Sequence, residues 1–260
     1  MRTLPGWTAI VLSMFLFIIV LIAALFGRTL IDTTQINPLT TGAITQTVYA
    51  VQTGTANFFL IRSNSGYIAI DTGEDMAQAE QALDALGISP QDIVAIFLTH
   101  SDSDHTATIS LFPNATLYLS EHEVQMIDGT TKRARGRFLF LSRLMRTNIN
   151  NPVFPYEFIT LTDNEKIEVD DVLIQGILTA GHTPGSMSFL VNERYLFTGD
   201  AMALNRNGRA ARMIHLSDMN NHQARESISR IATIQAQYVF TGHHGYSNNL
   251  DFVFANIRDN

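Results

Sequence analysis

Short apolar runs that end in small polar turns recur along most of this chain. Residues 47–51, 57–61 and 67–70 are apolar or alternate, with Gly54 and Asn64-Ser65-Gly66 between them, and predict consecutive strands of a meander. Met76, Ala79, Leu83 and Leu86 then recur at helical spacing up to Gly87, which predicts an amphipathic helix over residues 75–86 covering that sheet. Residues 93–98 read as a buried strand, a short helix follows His105 as far as Leu111, and residues 116–119 form another strand. Strand, helix, strand indicates an α/β layer.

The pattern then repeats. Residues 166–169, 172–178, 186–191 and 194–197 predict strands; Ile228, Ile231 and Ala232 mark a helix beginning after Asn220-Asn221, and a strand starts at Tyr238. Two similar halves result. Residues 128–160 break the alternation and crowd Lys132, Arg133, Arg135, Arg137, Arg143 and Arg146 beside Phe138, Leu139, Phe140, Leu141, Leu144 and Met145. This basic insertion reads as a solvated helical face, or as a side arm receiving an anionic or lipid-like substrate.

The amino terminus has a different character. Residues 7–26 form an uncharged, mostly apolar run of about 20 residues, the length that spans a bilayer core as a helix. A cleaved signal peptide has a shorter apolar region and a small-x-small site, which is not evident after Phe26. The expectation is an anchor over residues 1–28, a linker over 29–44 and a catalytic domain over 45–260. Arg2 and the amino group, set against Arg28 and Asp32, lean toward an internal N-terminus. That places a single-pass protein in the cell membrane with its domain outside the cytoplasm.

Composition narrows the chemistry. The chain has 46% hydrophobic and 16% charged residues, a net charge of −7 and no cysteine. Disulfides and thiolate ligands are excluded, and an acidic chain argues against nucleic acid as a partner.

The candidate site lies where strands end. Thr99-His100-Ser101-Asp102-Ser103-Asp104-His105 follows the strand at 93–98 and offers four metal-capable side chains. In extended backbone His100 and Asp102 project to one side, so the turn at Ser103 can aim Asp104 and His105 elsewhere. Three later strands also run into a small residue and a ligand type, at Gly181-His182, Gly199-Asp200 and Gly242-His243.

With Asp71-Thr72-Gly73, these motifs make the chain resemble the metallo-β-lactamase-fold hydrolase superfamily over about residues 45–250. The resemblance implies a four-layer αββα sandwich, here preceded by one transmembrane helix. It further implies two divalent metal ions: His100, Asp102 and His182 on one, Asp104, His105 and His243 on the other, Asp200 between them, and Asp71 as a supporting residue. Asp104 and Asp200 would be the catalytic carboxylates, and a hydroxide bridging the ions would attack an ester, lactone, thioester, phosphodiester or lactam.

One position departs from the family's HxHxDH pattern, because Asp102 stands where the second His is expected. A carboxylate makes the site harder, so manganese or iron join zinc, the first choice. Flavodiiron proteins resemble the family and carry a carboxylate there, which keeps a diiron oxidoreductase as an alternative beside a degenerate metal-binding module. His244 rivals His243 as the last ligand or serves as an oxyanion donor, as could Tyr246, while His122, His215 and His222 read as surface or loop residues.

Overall fold

The structure, a computed structural model, describes residues 14–15, 17–20, 36–128, 130, 156–212 and 220–258. Two compact units divide at residue 36. In the first, residues 14–15 and 17–20 are helical with exposed apolar side chains, and the remainder of the expected anchor lies outside the described residues. Among the described residues, no helix is long and apolar enough to cross a membrane. Most of the basic insertion, and His215, also fall outside them.

Among its described residues, the second unit, Asn37–Asn260, contains two large sheets and a two-stranded hairpin. The first has seven strands in sequence order: β1 (Gly42–Ala43), β2 (Val48–Thr53), β3 (Ala56–Arg62), β4 (Tyr67–Ile70), β5 (Ile93–Phe97), β6 (Thr116–Ser120) and β7 (Ile159–Leu161). It is antiparallel through β4 and parallel from β4 to β7. The second sheet includes β8 (Lys166–Val169), β9 (Val172–Leu178), β10 (Met187–Val191) and β11 (Tyr195–Phe197). A hairpin of β12 (Ala203–Leu204) and β13 (Ala210–Ala211) stands apart, while β14 (Tyr238–Phe240) and β15 (Tyr246–Ser247) complete the order β15-β14-β11-β10-β9-β8.

Each sheet is apolar on both faces, as a strand covered from two sides requires. On β5, Ala95 and Phe97 face the other sheet, whereas Ile96 packs toward the helical layer. Phe59 lies 5.2 Å from both Phe197 and Phe240, ring centre to ring centre, and Phe97 lies 5.5 Å from Phe189, which binds sheet to sheet. Helix α1 (Met76–Leu86) covers the first sheet with Ala79, Ala82 and Leu83; Asp75 caps it by accepting from Gln78 N–H, and Gly87 ends it at φ 67°. The short α2 (Ser103–Thr106) and α3 (Glu121–Ile127) follow β5 and β6. Helices α4 (Asn221–Ile231) and α5 (Leu250–Arg258) cover the second sheet with Ile228, Ile231, Val253 and Phe254. The architecture is the expected αββα sandwich.

Two expected boundaries move. Residues 37–43 belong to the domain rather than to a linker: Asn37 N–H donates to His243 O at 2.9 Å, Leu39 exchanges hydrogen bonds with the Asn57 side chain, and β1 pairs with β2. The insertion stops short of residue 160, because β7 adds to the first sheet beside β6.

Strand direction positions the site. β4 and β5 run parallel, as do β11 and β14, and β9 shares the direction of β11 because each is antiparallel to β10. Asp71, His100, Asp200, His243 and His182 all follow the carboxyl ends of these strands, where the loops of both sheets meet.

Candidate metal centre

Two donor clusters form at that edge. One ligand atom from each of Asp104, His105, Asp200 and His243 lies within 4.8 Å of the others, and the same holds for His100, His182 and Asp200. Asp200 therefore belongs to both. Asp102 joins the second group through Oδ2, 3.2 Å from His182 Nε2 and 3.7 Å from His100 Nε2. Asp104 is the most open carboxylate, with Oδ2 3.3 Å from His243 Nε2. The structure thus brings Asp104, His105 and His243 together with Asp200, and His100 and His182 with the same Asp200, with Asp102 beside the latter pair.

Their side chains are held from behind. Asp71, itself at φ 62°, accepts from Thr99 N–H at 2.7 Å, from the Thr99 hydroxyl at 2.8 Å, and from His105 Nδ1 at 2.8 Å. Because the Thr99 proton goes to Asp71, Thr99 Oγ1 accepts from His100 Nδ1 at 3.0 Å. His243 Nδ1 donates to Thr55 O at 2.7 Å. In all three imidazoles the acceptor takes the Nδ1 proton, so the neutral ring presents the Nε2 lone pair to the centre.

This donor set fits divalent ions. His105 Nε2 and His243 Nε2 face each other at 3.3 Å, an arrangement of two lone pairs that calls for positive charge. His100 Nε2 and Asp200 Oδ1 are buried without a hydrogen-bond partner, which is costly unless something else binds them. Imidazole nitrogen and carboxylate oxygen suit zinc, manganese or iron.

The electrostatics point the same way. Burial holds His100 down at about 4, reinforced by His105, so it stays neutral. Burial also opposes charge on His243 and His105, yet Asp200 and Asp104 hold His243 at about 10, and Asp71 and Asp200 hold His105 well above its ordinary value. Against the penalty of burial, His243 and His105 in turn keep Asp200 well below the carboxylate range. Protons on these imidazoles occupy the place that cations would take.

His244 is absent from both clusters; it is buried beside His243 and its pKa is lowered to about 4 by burial. Tyr246 stacks on Phe240, His122 is exposed, and His222 pairs with Glu226 on the surface. Two supporting residues are not evident in the sequence, Thr55 above and Glu123. Glu123, fully buried on α3, accepts from Ser101 N–H at 2.9 Å and from Gly185 N–H at 3.2 Å. Its only sequence signal is the Ser120-x-x-Glu123 spacing, which ordinarily denotes a helix cap.

The chain matches known proteins in this same region. It is 27% identical over 160 residues to the N-acyl homoserine lactonase AttM of Agrobacterium fabrum, covering 52% of this chain and 58% of that protein. The chain thus spans little more than half the length of that lactonase. It is 26% identical over 220 residues to the hydroxyacylglutathione hydrolase of Aeromonas salmonicida, covering 82% of this chain and 71% of that one. A metallo-β-lactamase family protein from Thermus thermophilus shares the fold with a TM-score of 0.62 at 20% identity, over 84% of this chain and 80% of that chain. Residues 51–243 match the metallo-β-lactamase superfamily, and the motifs above all fall within those limits, so the chain belongs to that superfamily.

Proposed function

We propose that this protein is a binuclear metal-dependent hydrolase of a small acyl substrate, a lactone or thioester. The observation that carries the reading is the pair of donor clusters sharing Asp200, with imidazole nitrogens turned toward each other. The lactonase and the hydroxyacylglutathione hydrolase among its relatives favour a lactone or thioester over a phosphodiester or the amide bond of a lactam. When bound, two divalent ions, zinc first and manganese or iron next, would supply Lewis acidity and a nucleophile made from water.

The chain's own residues have distinct parts. His100, Asp102 and His182 would hold one ion and Asp104, His105 and His243 the other, with Asp200 shared by the two clusters. Asp104, the more exposed carboxylate of its cluster, would take a proton from the attacking water and return it to the leaving group. Asp71 and Thr55 keep the imidazole protons on Nδ1.

The test is elemental analysis of the full chain purified without added metal, followed by assays with an N-acyl homoserine lactone and a hydroxyacylglutathione. Near two zinc or manganese ions per chain with turnover of either substrate supports the reading; two irons without hydrolysis would favour the oxidoreductase, and one ion or none a degenerate module. The apolar run at residues 7–26 supports a membrane anchor, and Arg2 with the amino group, set against Arg28 and Asp32, supports a domain outside the cytoplasm. Recovery of the full chain in the soluble fraction, or protection from added protease in intact cells, would refute that placement.

A further inference from the structure

Glu123 lies on α3, away from the ligand candidates. At a helix start, a Ser-x-x-Glu spacing usually folds the Glu side chain back onto the backbone of the capping Ser. Ser120 plays its half, accepting from Glu123 N–H at 3.2 Å. The carboxylate turns elsewhere. Glu123 Oε2 accepts from Ser101 N–H at 2.9 Å and from the Ser101 hydroxyl, while Oε1 accepts from the Thr183 hydroxyl and from Gly185 N–H at 3.2 Å.

Four donors fill the lone-pair sites of a carboxylate, which is what its complete burial requires. Burial raises the Glu123 pKa, and the Ser101 and Thr183 hydrogen bonds oppose that rise. The donors come from two loops. Ser101 separates His100 from Asp102, and Thr183 follows His182. The second loop is pressed close: a Cβ on Gly185 would stand 2.6 Å from Glu123 N and 2.7 Å from Glu123 Cγ, and Ser120 Oγ donates to Gly185 O at 2.6 Å.

We propose that Glu123 is the positioning residue of the His100, Asp102 and His182 site, its carboxylate setting the spacing of the two loops that carry them. For the ions this rests on the binuclear reading above; for the loops it rests on hydrogen bonds alone. An amide cannot replace the carboxylate, because its NH2 must face a backbone N–H in either orientation, that of Ser101 or that of Gly185.

The experiment is Glu123→Gln in the full chain, with zinc affinity measured by chelator competition and amide exchange measured on the metal-free protein. The expected result is an about 10- to 100-fold weaker Kd for one of two ions, the other unchanged, as loss of a supporting residue gives. Exchange should rise in segments 99–103 and 180–187 and stay unchanged in β2 to β4. Wild-type affinity for both ions, or equal weakening of both with a general rise in exchange, would overturn the proposal. Thr183→Val, which removes one hydroxyl donor, should give the same selective change at a few-fold, and it decides the matter if Glu123→Gln does not fold. Fewer than two ions on the wild-type chain would refute the binuclear reading, while the exchange pattern still decides the role of Glu123.

Discussion

Asp71→Asn tests whether imidazole orientation, rather than ligand number, sets metal affinity. The left-handed backbone at Asp71, φ 62°, tolerates Asn as well as Asp, so the change alters hydrogen bonding and little else. With its oxygen in the Oδ1 position, the substituted side chain still accepts from Thr99 N–H and from the Thr99 hydroxyl, which lie 2.7 and 3.0 Å from that oxygen in the native protein. Thr99 can then continue to orient His100. The amide NH2 takes the Oδ2 position, 2.8 Å from His105 Nδ1, where two donors would collide. His105 escapes by moving its proton to Nε2, the atom that faces His243 at 3.3 Å.

The damage should therefore fall on one ion. Loss of an outer partner of a metal-bound His weakens binding about 10- to 100-fold, or ~1.4 to 2.7 kcal/mol. The expected outcome is that size of loss at the Asp104, His105 and His243 site, and less than a few-fold at the other. Cobalt substitution with chelator titration resolves the two events, and a melting curve of the metal-free variant checks the fold. Equal weakening at both sites, or none, would refute the tautomer reasoning.

Three further outcomes follow from the same geometry. Asp102→His removes a negative charge beside His182, so the pH optimum of hydrolysis should fall and zinc should be preferred more strongly over manganese; an unchanged or higher optimum with full occupancy counts against this. Gly242→Ala would place a Cβ 2.7 Å from Asp200 Oδ1 and 2.8 Å from His105 Cε1, so it should lower metal content while leaving far-ultraviolet circular dichroism intact, and undiminished metal content would contradict the packing. The melting temperature of the metal-free protein should peak near pH 6.5, the ordinary histidine value in the unfolded chain. Below that value the unfolded chain takes up protons that His100 and His244, at about 4, refuse until the pH is lower, so stability falls as pH falls. The contribution of His243, at about 10, is full below 6.5 and is lost as pH rises toward 10; a melting temperature that changes in one direction from pH 4 to 10 would show the signs to be wrong.

The strands and the ligand candidates were legible because each is a local pattern. A buried strand reads as five apolar residues, and a ligand at its end as a small residue followed by His or Asp, as at Gly199-Asp200. Where pattern was short or polar, it misled. The stripe of Leu250, Val253 and Phe254 that buries α5 is too brief to set a helical period, and residues 37–43 read as aperiodic because they attach mainly through backbone, as Asn37 N–H does to His243 O.

Apart from Asp71, which the family resemblance implies, the supporting layer is hidden from the sequence for a deeper reason. His243 takes its orientation from Thr55, 188 positions away; Glu123 draws donors from Ser101, 22 positions away, and from Thr183, 60 away. Thr55 and Glu123 each have an ordinary local reading, a turn residue and a helix cap. Nothing in their neighbourhood changes when they also fix a loop in the other half of the sandwich. A ligand candidate is recognisable from its own segment, whereas residues such as Thr55 and Glu123 that aim one are recognisable only once two segments have met. That is why the substitutions most informative about this site, at Asp71 and Glu123, are at positions that hold no ion.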